Sequence, residues 1–188
     1  MSVYTEPPLT IADLEATPDD GNRYELIEGE LYVSTSPSFL HQQILFKLIK
    51  VFADYLSSNP IGKVTTGVGV IFDDFNGVIP DFVYFSHERR KDILKGERFC
   101  GAPEIVVEIL SPGASNERRD RQVKRNLYSS RGVHEYWIVN QESRTVEVHR
   151  KRKEGGLEFI ASLQDSDDLT SPLLAGFRMR VAKLFGTD

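Results

Sequence analysis

The sequence predicts an α+β fold, in which a central mixed β-sheet is flanked by helices. Short apolar segments with strand composition recur along the chain between turn residues, and the clearest runs from Ile105 to Leu110. Helical patterns cover residues 39–57 and 115–132. The order of helix, three strands, helix and further strands is typical of a sheet with helices packed against it.

Length and composition indicate a single domain over residues 1–188, with residues 1–22 as a peripheral N-terminal segment. Apolar residues make up 40% and charged residues 27% of the chain, which is ordinary for a globular protein. The formal net charge is −5, so no overall basic field attracts nucleic acid or anionic lipid. Local basic patches can still bind phosphates.

The sequence also predicts a cytoplasmic protein with no membrane partner. The single cysteine, Cys100, excludes an internal disulfide and favours a reducing compartment. The first ten residues do not form a basic segment followed by an apolar stretch, so we expect no secretory signal. No apolar run approaches the ~18–20 residues of a membrane span.

The N-terminal half is predicted to contain two helices, a hairpin and two long strands. A short helix covers residues 10–16, and strands 24–27 and 30–34 form the hairpin, which turns at Glu28 and Gly29. Ser38 is a plausible N-cap for the helix over 39–57. The apolar stripe of that helix contains Leu40, Ile44, Leu48, Val51 and Tyr55. Strands over 63–74 and 78–86 follow, with a turn at Asn76 and Gly77.

The C-terminal half is predicted to begin with a charged connection at 87–99 and a buried strand at 103–112. The helix over 115–132 has Ser115 or Asn116 as N-cap and Gly132 past its end. Antiparallel strands within 134–150 and 157–162 form a β-meander. A short strand and a terminal helix are expected within 171–185.

Two acidic residues lie among the apolar residues of these strands. Glu108 lies in the strand at 103–112, and Asp81 follows Pro80 in the preceding strand. A carboxylate in this setting costs several kcal/mol, roughly, unless a cation or a metal pairs with it. Two such acids on neighbouring strands suggest a shared hard cation such as Mg²⁺. Alternatively, they are separate strand-end acids that reach water or an arginine, and spacing alone favours neither interpretation.

Lys124 falls within the apolar stripe of the following helix, one turn before Tyr128 and one turn after Asp120. A lysine facing the sheet either extends its ammonium group to solvent or neutralises a charge beneath it. With two acids on the strands below, pairing is the better explanation.

Pro80-Asp81, Glu108 and a helical lysine together resemble the PD-(D/E)xK nuclease superfamily. Much of the chain is similar to one branch, the Uma-type putative restriction-endonuclease family. The matching stretches are YELIEGELY, PSFLHQQI, IPDFVYFS, APEIVVEILSP, RRDRQVKRNLYSSRGVHEYWIVN, RTVEVHR and SPLLAGF, between about Tyr24 and Phe185. The superfamily motif places its lysine two residues after the second acid. Leu110 occupies that position here, and the resemblance to this branch implies that the lysine lies on the following helix, as Lys124.

The resemblance implies a restriction-endonuclease-like core with an added N-terminal hairpin and C-terminal β-meander. It implies Asp81 and Glu108 as ligands of Mg²⁺, for which Mn²⁺ can substitute, and Lys124 as a catalytic residue. His41, on the buried stripe of its helix, is either a packed histidine or a site residue. Glu25 or Glu28 could complete the site, and Glu28 is better explained as a turn residue.

The resulting hypothesis is an Mg²⁺-dependent endonuclease that hydrolyses phosphodiester bonds in DNA, with Asp81, Glu108, Lys124, His41 and Glu25 in its site. Basic runs at 87–91, 118–125 and 150–153 could hold phosphates or form ordinary solvated faces. The alternatives are a catalytically inactive nuclease-fold module that binds nucleic acid or protein, and a structural homodimer. We also expect a homodimer for the enzyme.

Overall fold

The computed structural model describes residues 7–186. Within this range the chain forms two six-stranded sheets and a two-stranded ribbon, with helices packed against them. The strands are β1 (Arg23–Ile27), β2 (Glu30–Ser34), β3 (Gly62–Thr66), β4 (Val70–Asp73), β5 (Asn76–Val78), β6 (Phe82–Ser86), β7 (Leu94–Lys95), β8 (Arg98–Cys100), β9 (Ile105–Ile109), β10 (Glu135–Asn140), β11 (Thr145–Lys151), β12 (Leu157–Leu163), β13 (Asp168–Thr170) and β14 (Arg178–Arg180). The α-helices are α1 (Ile11–Glu15), α2 (Phe39–Ser58), α3 (His87–Ile93), α4 (Ala114–Arg118), α5 (Arg125–Arg131) and α6 (Ala182–Phe185), and a π-helical segment (Arg119–Lys124) joins α4 to α5.

The main sheet has the strand order β12-β11-β10-β9-β6-β3. Strand β9 pairs in parallel with β10 and antiparallel with β6. Strands β10, β11 and β12 form an antiparallel meander at one edge. The predicted α+β class with a mixed sheet and a C-terminal meander is therefore confirmed.

The second sheet has the order β2-β1-β5-β4-β8-β7. The N-terminal hairpin of β1 and β2 pairs as predicted, with Leu26 opposite Leu31. The hairpin does not stand alone, because Leu26 also faces Gly77 of β5. The hairpin is therefore part of the second sheet, and its position is fixed by pairing with β5.

Strand β9 is buried on both faces, and its alternating side chains enter two different layers. Ile105, Val107 and Ile109 pack into the same apolar cluster as α2. Val106 lies in the other cluster, with Tyr128 of α5. Glu108 alternates with Ile109 and so lies on the side of α5.

Helix α2 begins where the sequence predicts, because the side chain of Ser38 accepts a hydrogen bond from the His41 amide at 3.2 Å. The buried residues of α2 are His41, Ile44, Leu45, Leu48 and Phe52. The predicted stripe is wrong at Leu40, which is 48% exposed. The burial of His41, Ile44 and Leu48 confirms the rest of the face on which the site prediction relied.

Both long strands predicted in the N-terminal half are wrong. The segment 63–74 divides into β3 and β4, which belong to different sheets, and Gly67 between them has a φ of 60° that extended strand does not adopt. The segment 78–86 divides into β5 and β6. Pro80 lies in that break and has no N–H to donate to a strand ladder. Asp81 therefore precedes β6 rather than lying within it.

The predicted turn at Asn76 and Gly77 is also displaced, because both residues lie in β5 and the turn is formed by residues 74 and 75. The Asn76 side chain donates to Asp73 at 2.8 Å and accepts from the Glu28 amide at 2.9 Å. Asn76 therefore ties the turn to the N-terminal hairpin.

The remaining corrections concern connections and helix starts. The connection at 87–99 contains α3, whose first turn is capped by Ser86, and the paired strands β7 and β8. The next helix begins at Ala114, with Gly113 at the N-cap in place of Ser115 or Asn116. Its end is as predicted, because Gly132 adopts a left-handed φ of 87°. The tail contains β14 and α6, as expected.

The predicted peripheral segment at 1–22 includes residues 1–6, which lie outside the described range. Helix α1 lies in the described part of the predicted segment and packs over Gly77. The side chains of Ile11 and Leu14 occupy the space where a β-carbon at Gly77 would lie. Across residues 7–186, no helix combines the length and the apolar character needed to span a bilayer.

Candidate active site

A polar cavity of about 420 Å³ lies between the N-terminal hairpin, the start of α2, the end of β9 and the π-helical segment. Its walls carry acidic and basic side chains together with serine-rich loops. The charged and imidazole residues of the lining are Arg23, Glu25, His41, Asp81, Glu108, Arg119, Asp120 and Lys124. All five residues predicted for the site therefore line one cavity.

Asp81 is held at the start of β6 by three donors. One carboxylate oxygen accepts from His41 Nε2 at 3.0 Å and from the Ile109 amide at 2.9 Å. The other oxygen pairs with Arg23 Nη1 at 3.2 Å. Burial acts to raise the pKa of Asp81, but His41, the Ile109 amide and the charge of Lys124 outweigh it and hold that pKa below its ordinary value. Asp81 is thus a carboxylate positioned from three elements.

Glu108 is buried at the end of β9. Its Oε1 accepts from Lys124 Nζ at 3.0 Å and from the Tyr128 hydroxyl at 2.7 Å. Burial raises the pKa of Glu108 to about 8, with the nearby charge of Asp81 acting in the same direction and Lys124 opposing it. Burial thus favours the protonated form of Glu108, and a nearby positive charge favours its carboxylate form.

Lys124 is the cation at the centre of these acids and is only 2% exposed. Its Nζ lies 2.8 Å from Glu25 Oε1 and 3.0 Å from Glu108 Oε1, and Asp120 is 3.9 Å away. Burial acts to lower the pKa of Lys124, but the three carboxylates outweigh it and raise the pKa above its ordinary value. The pairing predicted for this lysine is therefore observed, with Glu25 as an additional partner.

Glu25 and His41 have supporting positions. Glu25 Oε1 also accepts from the Ile79 amide at 2.7 Å, which fixes the carboxylate that holds Lys124. His41 is buried, and its Nδ1 has no hydrogen-bond partner among residues 7–186. Glu28 is not brought to the cavity, since it is exposed in the hairpin turn with a φ of 53°. This location agrees with its interpretation as a turn residue.

Sequence reasoning missed four further residues of this cluster: Arg23, Arg119, Asp120 and Tyr128. Asp120 and Tyr128 share the helical face of Lys124, so their spacing could have placed them in the site. Arg119 does not share that face in a regular α-helix. Arg23 comes from the hairpin and carries no sequence signal that we can identify.

The donor set fits a hard divalent cation in part. Within residues 7–186 no three His, Cys, Asp or Glu side chains are arranged as a complete ligand set. Glu108 Oε2 accepts no hydrogen bond from the described residues, and Glu108 lines the cavity. Mg²⁺ commonly takes one or two protein carboxylates and completes its shell with waters and substrate phosphate. Asp81 and Glu108 both line the cavity, and the two Asp81 oxygens already accept from His41, Ile109 and Arg23.

Comparisons with known proteins identify a family and a similar fold. A family model described as "Uma2: Putative restriction endonuclease" matches residues 11–182. The fold is similar to the crystal structure of a putative nuclease belonging to DUF820 from Anabaena variabilis. The TM-score is 0.75 and the identity 19%, and the similarity covers 95% of this chain and 98% of that chain. No curated protein matches the sequence.

Proposed function

We propose that this chain, which belongs to the Uma2 family of putative restriction endonucleases, is a nuclease that uses Mg²⁺ to hydrolyse phosphodiester bonds in DNA. Family membership supports the nuclease class, and the metal and the DNA substrate are our proposal. One observation carries it: the carboxylates of Asp81, just before β6, and of Glu108, in the neighbouring β9, line the same cavity as the buried Lys124.

Asp81 and Glu108 would hold the cation. When bound, Mg²⁺ lowers the pKa of a water molecule and polarises the phosphate. Hydrolysis adds the water oxygen to phosphorus and breaks the bond to one ester oxygen, which leaves as a hydroxyl after protonation. Lys124 offsets the negative charge that builds on the phosphate oxygens during this step. Glu25 fixes the Lys124 ammonium group, and His41 fixes the Asp81 carboxylate.

The charge balance of the cavity supports a substrate that brings both a metal and a phosphate. When Glu108 is ionised, the four carboxylates of Asp81, Glu108, Glu25 and Asp120 outnumber the three cations that line the cavity, Arg23, Arg119 and Lys124. A divalent cation reverses this balance, and an anionic phosphate then becomes a favourable occupant. The basic side chains alone would have to attract DNA against these acids.

Metal binding that depends on Glu108 tests the proposal against a fold that binds without cutting. We would titrate Mn²⁺ into the wild type, Glu108→Gln and Glu135→Gln, and follow bound metal by its magnetic resonance signal. Glu135 is the matched control because it is 1% exposed and bonded to Trp137 and Ser171, outside the cavity. We expect Glu108→Gln to lose binding and Glu135→Gln to keep it. Equal binding by all three proteins would contradict the proposed metal site.

A further inference from the structure

The π-helical segment changes which side chains reach the cavity. In an α-helix, residues five apart lie about 140° from each other around the axis. In the wider π turn, hydrogen bonds join residues five apart, and such turns occur frequently at functional sites. Residues 119–124 adopt this geometry, so Arg119 and Lys124 both line the cavity. The Tyr136 hydroxyl donates to the backbone carbonyl of Asp120 at 2.9 Å and ties the turn to the sheet.

The Arg119 guanidinium group is held by the protein through its Nε atom. Its Nε donates to Asp120 Oδ1 at 3.0 Å, and its side chain is 12% exposed. No atom of residues 7–186 accepts a hydrogen bond from its Nη1 or Nη2, and neither nitrogen is sealed from solvent. Because Arg119 lines the cavity, these two nitrogens are its available donors there.

The other two cationic side chains of the cavity, Lys124 and Arg23, donate their hydrogen bonds to groups of the protein itself. Lys124 is held between Glu25 and Glu108. Arg23 donates one terminal nitrogen to the Ile79 carbonyl at 2.6 Å and the other to Asp81 at 3.2 Å. Arg119 donates only through Nε, and no residue in the range 7–186 accepts from its two terminal nitrogens.

From this geometry we infer that Arg119 binds the non-bridging oxygens of a backbone phosphate of the nucleic-acid substrate. The inference rests on the proposed function and adds a substrate contact that the family motif does not supply. Two parallel N–H groups match two phosphate oxygens, a geometry that lysine cannot reproduce. Asp120 thereby acts as a positioning residue, since it orients the guanidinium group before substrate arrives.

The experiment compares Arg119→Gln and Arg119→Lys with Arg121→Gln. Arg121 is the matched control because it lies in the same π-helical segment and pairs with Glu117 and Glu147 rather than lining the cavity. Arg119→Lys keeps a positive charge beside Asp120, which protects the fold while removing the fork. Thermal unfolding of each variant confirms that it is folded before assay.

Two readouts are required. The first is cleavage of duplex oligonucleotide with Mg²⁺, separated into kcat and KM. The second is equilibrium binding of the same duplex without divalent metal over a range of salt concentrations. We expect both Arg119 variants to lose about ten- to a hundredfold in kcat/KM, as removal of a charge-assisted hydrogen bond implies. For Arg119→Gln the slope of log affinity against log salt should fall by about 0.9, which corresponds to one lost phosphate contact.

The outcomes separate this inference from the proposed function. If the wild type cleaves and the Arg119 variants match Arg121→Gln in both readouts, the phosphate contact is refuted and the nuclease stands. If the wild type does not cleave but Arg119→Gln loses affinity and salt dependence, the phosphate contact holds on a fold without catalysis. If binding is also unchanged in every variant, the inference is wrong.

Discussion

Replacing Lys124 by methionine removes the cation that three buried carboxylates share. Glu25 and Glu108 would lose contacts of 2.8 Å and 3.0 Å, and each of these carboxylate residues is only 3% exposed. Removing one partner of a buried ion pair typically destabilises a protein by about 3–5 kcal/mol. For a chain of this size the expected fall in Tm is about 6–20 °C.

The assay is urea unfolding of the metal-free wild type and variant at the same alkaline pH, because the pKa of Glu108 is raised by burial and its carboxylate is favoured as pH rises. The control is Lys50→Met, which removes an exposed lysine from α2 and should change the free energy of unfolding by about 0.5 kcal/mol or less. The double variant Lys124→Met, Glu108→Gln should recover part of the lost stability, because one uncompensated charge is then absent.

Metal supplies a second check on the same variant. If Mg²⁺ binds Asp81 and Glu108, adding it should raise the stability of Lys124→Met by mass action, since the cation replaces the missing positive charge. DNA cleavage should remain lost in the variant even when Mg²⁺ restores its stability. A Lys124→Met protein as stable as Lys50→Met would refute the reasoning, because Lys124 would then not compensate the buried acids.

Three further predictions follow from buried groups. First, Glu108 binds a proton in the folded protein at pH values where the unfolded chain has released it, because its folded pKa is raised to about 8 from 4.5. The contribution of Glu108 to the stability of the metal-free protein should therefore fall as pH rises from about 5 to 8, and Glu108→Gln should remove this contribution in urea titrations at each pH. Second, Tyr128→Phe removes the 2.7 Å hydrogen bond to Glu108 and should cost about 1–3 kcal/mol of unfolding free energy. An unchanged urea midpoint would show that this hydroxyl is not needed. Third, Phe52→Ala should cost about 3–5 kcal/mol, because Phe52 is fully buried and packs against Phe82 and Phe177 at 4.8 Å between ring centroids. A Tm close to that of the wild type would contradict this packing.

The sequence predicts the central elements because their signals are local. Strand β9 is recognisable from its apolar run, α2 from its cap and stripe, and Lys124 from its position on an apolar helical face. Glu108 is conspicuous because a carboxylate in a buried strand requires a partner. These features predict that Asp81, Glu108 and Lys124 share a site, and the resemblance of several stretches to a known family adds the fold.

The errors arise where tertiary context decides. The chain passes from one sheet to the other at Gly67 and at Pro80. An alternating strand pattern does not indicate to which sheet the residues before and after such a break belong. The exposure of Leu40 depends on what packs against the first turn of α2. The sequence left open whether the basic run at 118–125 holds phosphates or forms a solvated face, and helical spacing did not show that the π turn brings Arg119 of this run to the cavity. DNA as substrate, Mg²⁺ as cofactor and the homodimer remain predictions.

Nicking of supercoiled plasmid tests the central claim most directly. The wild type and folded Glu108→Gln would be incubated with plasmid in Mg²⁺, and parallel samples would contain a chelator. We predict that the wild type converts supercoiled to open-circular DNA only with free Mg²⁺, and that Glu108→Gln leaves the plasmid intact. Equal nicking by the two proteins, or nicking that persists in the chelator, would contradict a Mg²⁺-dependent nuclease centred on Glu108.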